Sequence, residues 1–242
     1  MIVTSVIAVL GVSTSFAALV MERDQSVDTA PSVGMYRFEV PVELQGTYNS
    51  VGVANLIASM EKEPNTLSMT VAHVKGNPSE SYVVEIYKDL AAIEAHRKSD
   101  HYQAFVNEVG SKLTNRKMYD VQSVLLFEKK DALSIVNDGK AVVTLTEFTV
   151  DSNEIDTVQR QYQLDMERAV RDDAGYKAGY VLRERNAKNR WYVIQIYSDQ
   201  EALTKHLNSP GYRFMMSQIQ GSLQGVTTKV LDGDILVNHG GQ

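Results

Sequence analysis

The stretch Tyr82-Val-Val-Glu-Ile-Tyr-Lys-Asp-Leu-Ala-Ala-Ile-Glu-Ala-His96-Arg-Lys-Ser-Asp-His101-Tyr102 occurs a second time, as Tyr192-Val-Ile-Gln-Ile-Tyr-Ser-Asp-Gln-Glu-Ala-Leu-Thr-Lys-His206-Leu-Asn-Ser-Pro-Gly-Tyr212. The copies align without a gap at an offset of 110 residues. Tyr82, Val83, Ile86, Tyr87, Asp89, Ala92, His96, Ser99 and Tyr102 recur as Tyr192, Val193, Ile196, Tyr197, Asp199, Ala202, His206, Ser209 and Tyr212. So long a period exceeds a solenoid unit and fits a duplicated domain of roughly 100 residues.

Around each copy the hydrophobic pattern predicts the same order of elements. In the first half, Tyr36 to Leu44 alternates as a strand, with Pro41 marking an edge or bulge. Val53, Leu56, Ile57 and Met60 fall at helical spacing before Pro64. Leu67 to Val74 and Ser81 to Tyr87 alternate as strands on either side of a Gly76-Asn77-Pro78 turn. Asp89 and Ser99 stand where helix N-caps belong, and Tyr119 to Phe127 is a last strand. The second half repeats this with strands at 142–150, 176–185, 190–197 and 226–237, and with Asp151 and Glu154 as a capping pair. The order β-α-β-β-α-β predicts an α+β chain of tandem ferredoxin-like domains. Each such sheet has one bare face, so the two are expected to pair within the chain as an intramolecular dimeric α/β barrel. The division is 35–130 for the first domain, 131–138 for a linker and 139–239 for the second. Higher oligomers stay open.

The composition is that of a globular protein, with 43% hydrophobic and 22% charged residues. A net charge of -6 argues against a nucleic-acid partner. Cysteine is absent, which removes disulfides, thiolate metal sites and cysteine nucleophiles together. The five histidines, His73, His96, His101, His206 and His239, show no metal-ligand spacing beyond His96 and His101, which a helix break separates. No metal site is therefore expected. The first 21 residues carry no charge and lead through an apolar core to Ser15-Phe16-Ala17. Residues 1–22 are thus expected to be a signal peptide or a membrane anchor, with 23–34 as a linker. The expected location is exported, periplasmic or secreted, with membrane attachment through residues 1–21 as the alternative.

The pattern Tyr-x-x-Glu-x-Tyr-x-Asp-x-x-Ala-x-x-x-His-x-x-Ser-x-His-Tyr over 82–102 resembles the antibiotic biosynthesis monooxygenase family, and the resemblance extends over roughly 34–130 and 139–239. It implies oxidation of a small aromatic or quinol substrate by dioxygen, without metal, flavin or other cofactor, in a pocket between helices and sheet. Such chemistry needs a base or anchor that holds the substrate as an electron-rich phenolate in a dry pocket. His96 closes an apolar helix face and Glu85 lies on the adjacent strand, so these two are the candidate catalytic pair. For His96 a structural bond between helix and strand is the competing role. Tyr87, His101, Tyr102, Tyr197, His206 and Trp191 are the candidate substrate-binding residues. In the second copy Gln195 replaces Glu85 and Gly211 replaces His101, which points to the first half as the reactive one. Two other functions stay open: an exported small-molecule-binding or stress protein on the same scaffold, and haem handling, for which the second half offers Trp191 and His206.

Overall fold

The computed structural model describes residues 30–241. The first half runs β1 (Ser32–Glu39), α1 (Gln45–Lys62), β2 (Thr66–Val74), β3 (Asn77–Tyr87), α2 (Leu90–Lys98), α3 (Asp100–Glu108) and β4 (Thr114–Tyr119). β5 (Val121–Glu128) and β6 (Leu133–Val136) follow, so the expected linker at 131–138 contains a strand. The second half runs β7 (Val142–Val150), α4 (Ile155–Asp172), β8 (Tyr176–Glu184), β9 (Arg190–Tyr197), α5 (Gln200–Leu207), α6 (Pro210–Ile219) and β10 (Leu223–Asn238). The α+β ferredoxin-like order is present twice. Local chemistry explains the helix starts: Asp89, Ser99, Asp199 and Ser209 each accept a backbone N–H of the helix they precede. The pairing of Asp151 with Glu154 does not form, since Glu154 caps α4 without a side-chain bond. The first strand ends at Glu39, because Pro41 leads into a short 3-10 turn at Val42–Leu44.

The expected closed barrel is corrected. All ten strands belong to one open sheet in the order β4-β1-β3-β2-β10-β7-β9-β8-β5, with β6 on β10. Along one seam the halves are joined by hydrogen bonds, because β10 is 16 residues long. Its first part pairs with β7 of its own half and its last part with β2 of the other. The opposite seam stays open for a reason of chain geometry. β4 pairs with β1 and β5 with β8, yet only Asp120 separates β4 from β5. One residue cannot reverse the chain into a hairpin, so the sheet's two end strands follow one another rather than pairing.

The sheet's inner faces nevertheless bury each other. Val33, Met35, Val84 and Ile86 share one core with Val143, Leu145, Tyr180, Tyr192 and Ile194. The outer faces form separate cores with the helices, one around Phe38, Tyr48, Leu56 and Phe105, the other around Phe148, Tyr162, Met166 and Trp191. The alternation of β3 decides which residue goes where: Tyr82, Val84 and Ile86 face inward, Val83 and Tyr87 toward the helices.

The expectation of membrane attachment is also corrected. Among the described residues no helix is long and apolar enough to cross a membrane, and the leader at 1–22 lies outside the described residues.

Ion pairs tie the halves across the hydrogen-bonded seam, Lys229 with Glu80 at 3.3 Å and His73 with Asp234. His73 Nδ1 on β2 lies 2.8 Å and 2.9 Å from the two carboxylate oxygens of Asp234 on β10. The hydrogen bond that His73 donates to Asp234 raises its pKa above the ordinary 6.5, against the lowering effect of burial. A raised imidazole stabilises the fold below its unfolded value, and the contribution is lost as pH rises through the folded one. Melting temperatures across pH check this. The advantage of the native chain over Asp234→Asn should be full below pH 6.5 and shrink at higher pH.

Candidate active site in the first half

A pocket of about 600 Å3, counted out to its open mouth, lies between the helices and the outer face of the first-half sheet. Phe38, Tyr48, Leu56, Val83 and Phe105 supply apolar wall, while Asn55, Glu85, Tyr87, His96, Arg97 and Tyr102 supply polar atoms. The local sequence places them. α1 turns Gly52, Asn55 and Leu56 toward the sheet, and α2 brings His96 in behind Ala92 and Ile93.

His96 is only 1% exposed, and its two ring nitrogens have different surroundings. Nδ1 lies 3.0 Å from Glu63 Oε2 and 3.3 Å from Ser59 Oγ. A carboxylate at Nδ1 fixes the hydrogen of the neutral imidazole there, so Nε2 is left as an acceptor. Nε2 is buried and has no hydrogen-bond partner. Asn55 Oδ1, on a side chain that also lines the pocket, is likewise buried and unpartnered. Two orphaned acceptors on one apolar pocket are costly unless a ligand donates to them.

The partner of His96 is thus Glu63 and not Glu85. Glu63 is the C-cap of α1 and reaches across to α2 and α3, where His101 Nε2 lies 2.7 Å from its other oxygen. Thr66 Oγ1 also donates to Glu63, at 2.8 Å. Burial pushes the Glu63 pKa up, but the hydrogen bond from Thr66 and the two histidines outweigh it and hold the carboxyl below its ordinary value. Glu85 instead accepts from the Tyr87 hydroxyl at 3.0 Å, and burial drives its pKa above the ordinary carboxyl value. The structure therefore brings Glu85, Tyr87, His96 and Tyr102 to the pocket, whereas His101 stands behind it on Glu63. Glu63, His96 and His101 offer ligand atoms within 4.8 Å of one another, a set that suits a divalent transition metal. The spacing of the histidines could not show this, because Glu63 joins them from another helix. In the present geometry the three are bonded to each other.

The equivalent region of the second half is built differently. Residues 110 apart occupy the same register, as Phe38 opposite Ser81 and Phe148 opposite Trp191 demonstrate. His206, also 1% exposed, has Asp173 at 3.2 Å from Nδ1 and Asp165 at 3.4 Å from Nε2. Each of its nitrogens faces a carboxylate. Burial raises the Asp165 pKa, but the hydrogen bonds from His206 and Arg168 outweigh this and hold it down. Arg168 bridges Asp165, Asp173 and Ser209, filling the region that His101 takes in the first half. A Cβ at position 211 would collide with the Arg168 guanidinium, which is why the second copy has Gly211 there. Trp191 is fully buried, stacks on Phe148 and donates from Nε1 to Lys188 O. Tyr197 is buried with its hydroxyl unpartnered. Trp191, Tyr197 and His206 are thus packed within the second half and do not line the first-half pocket.

The model of the antibiotic biosynthesis monooxygenase family matches residues 34–108 and again 141–217. The chain belongs to this family, in two tandem copies. A Lactobacillus acidophilus protein provisionally described as a monooxygenase superposes with a TM-score of 0.78 at 19% identity, covering 87% of this chain and 97% of its own. A Fusobacterium nucleatum protein with the same provisional description gives 0.77 at 20% identity, covering 88% and 97%. A structure described as anthrone oxidase-like gives 0.54 at 12% identity, covering 89% and 95%. Identities this low carry the tandem fold and not a substrate. No curated protein matches the chain. Family membership supports an oxidoreductase-type role.

Sequence reasoning missed Asn55, Glu63 and Gly52. The constant offset held the signal, since it sets Glu63 against Asp173, Asn55 against Asp165 and Gly52 against Tyr162. Glu63→Gln should destabilise the fold by roughly 1–3 kcal/mol at neutral pH, through the loss of charge on an acceptor shared by two imidazoles. Because the Glu63 pKa is depressed, its contribution is present above the unfolded value and lost as pH falls through the folded one. Acid titration of stability should therefore be less steep in the variant than in the native chain.

Proposed function

We propose that the chain is a cofactor-independent monooxygenase that oxidises a small phenol or hydroquinone with dioxygen in the first-half pocket. The observation that carries this reading is the unpartnered Nε2 of His96, a residue that lines an aromatic pocket and has Glu63 bonded at its Nδ1. A substrate hydroxyl donates to Nε2, which takes its proton as general base. Glu63 is the positioning residue that selects the tautomer and steadies the imidazolium that forms. Asn55 Oδ1 accepts from a second polar group. The apolar walls exclude water while the electron-rich phenolate meets dioxygen.

The substrate supplies all the electrons. A hydroquinone and one dioxygen give a hydroxyquinone and one water: one oxygen atom enters the ring and the other leaves reduced. Glu85, held toward its protonated form by burial and bonded by Tyr87, can deliver a proton to reduced oxygen. Tyr102 closes over His96, with ring centroids 4.9 Å apart.

Oxygen uptake by the purified chain with hydroquinones and anthrones tests the reading. Uptake should exceed autoxidation, and His96→Ala should lower kcat by about 10²–10⁴-fold while leaving the circular dichroism spectrum intact. Equal uptake in that folded variant, or uptake no faster than autoxidation across the series, would refute it. Ligand binding without uptake would instead mark a binding protein on the same scaffold.

A further inference from the structure

Residue for residue, several walls of the site change size between the halves: Tyr36 corresponds to Thr146 and Phe105 to Met215. Tyr48 and Ser81 of the first half correspond to Val158 and Trp191 of the second, a large and a small side chain exchanged across one contact. Gly52 corresponds to Tyr162, which puts an aromatic ring on a helix position where the first half has no side chain. Gly52 lines the first-half pocket, and a Cβ added there would meet only Ile235 Cδ1, at an ordinary 3.5 Å. Tyr162 is 5% exposed and stacks on Phe148, with ring centroids 5.9 Å apart and planes 8° from parallel. Phe148 is the counterpart of Phe38, which walls the open pocket. The Tyr162 hydroxyl interacts electrostatically with Tyr212, Asp165 and Tyr176. The first of these corresponds to Tyr102 and the second to Asn55, so the hydroxyl lies toward the end of the site where the first half has its two orphaned acceptors.

We infer that Tyr162 is a built-in occupant of the second site and marks the pose of the ligand in the first: one phenol ring stacked on Phe38 in the space beside Gly52, its hydroxyl donating to His96 Nε2. Gly52 is then the residue that keeps the first site open and sets its size to a single ring. Additional fused rings have to project through the mouth. The second half is a plugged copy that binds no ligand. This deepens the proposed function, on which it rests for the location of the site, but it concerns binding and does not require turnover.

The test is titration calorimetry under argon with p-cresol, which is the tyrosine side chain as a free molecule. The native chain should bind one equivalent. Gly52→Phe should keep its fold and weaken binding by about 100-fold or more, with Gly52→Ala between the two. Tyr162→Ala should bind a second equivalent, because an emptied cavity of this kind accepts the ring it lost. Native affinity in folded Gly52→Phe overturns the inference, as does the absence of p-cresol binding to the native chain. One equivalent in folded Tyr162→Ala overturns it too. If Tyr162→Ala fails to fold, the Gly52 series alone decides. Failure of oxygen uptake with these binding results intact would refute the oxidation and leave the binding pose standing.

Discussion

A four-stranded sheet with helices on one side has a bare apolar face, and burial of that face governs this molecule. About 25 cal/mol per Å2 of apolar surface rewards covering it, and the best-fitting cover is another copy of the same face. The chain carries that copy in its own sequence. The shared core of Val33, Met35, Val84 and Ile86 with Val143, Leu145, Tyr192 and Ile194 is the result. The length of β10 lets one strand belong to both halves, and the single residue between β4 and β5 leaves the other seam unpaired. With the inner faces committed to each other, only the outer faces beneath the helices remain for chemistry.

The two copies hold one histidine in two different surroundings. Both halves bury a histidine at the end of the same helix and hold its Nδ1 with a carboxylate at the same offset, Glu63 or Asp173. They differ in what meets Nε2. In the second half Asp165 stands there, Arg168 balances the charge and Tyr162 fills the space over Phe148. The outcome is a charged, packed core. In the first half Asn55, Ala58 and Gly52 take those positions, so a pocket and two unpartnered acceptors result. Two copies of one fold thus keep the same histidine and surround its Nε2 differently.

Much of this was legible in the sequence. The repeat, the helix caps at Asp89, Ser99, Asp199 and Ser209, and the strand alternation gave the element order, because these are local signals. The barrel expectation failed on a global property: whether a seam closes depends on strand ends and on the short connection at Asp120, which alternation does not encode. The site was half legible. His96 and Tyr102 lie inside the repeated motif, and their placement beside the sheet followed from helix periodicity. Glu63 was invisible to that reasoning because it sits on another helix, 33 residues away from His96 along the chain. Glu85 was the nearer carboxylate in sequence but points its oxygen at Tyr87. Gly52 carries no side chain and gives no signal until its counterpart is seen to be Tyr162.

The central claim is that His96 presents a free Nε2 lone pair to the first-half pocket. Long-range proton–nitrogen correlation spectra of the imidazoles test it most directly, with the His96 resonances assigned through a His96→Gln variant. The Nδ1 facing Glu63 should carry a hydrogen and Nε2 none, and the Nε2 shift should move when a phenol is added under argon. A hydrogen on Nε2, or an Nε2 resonance indifferent to the phenol, would contradict it.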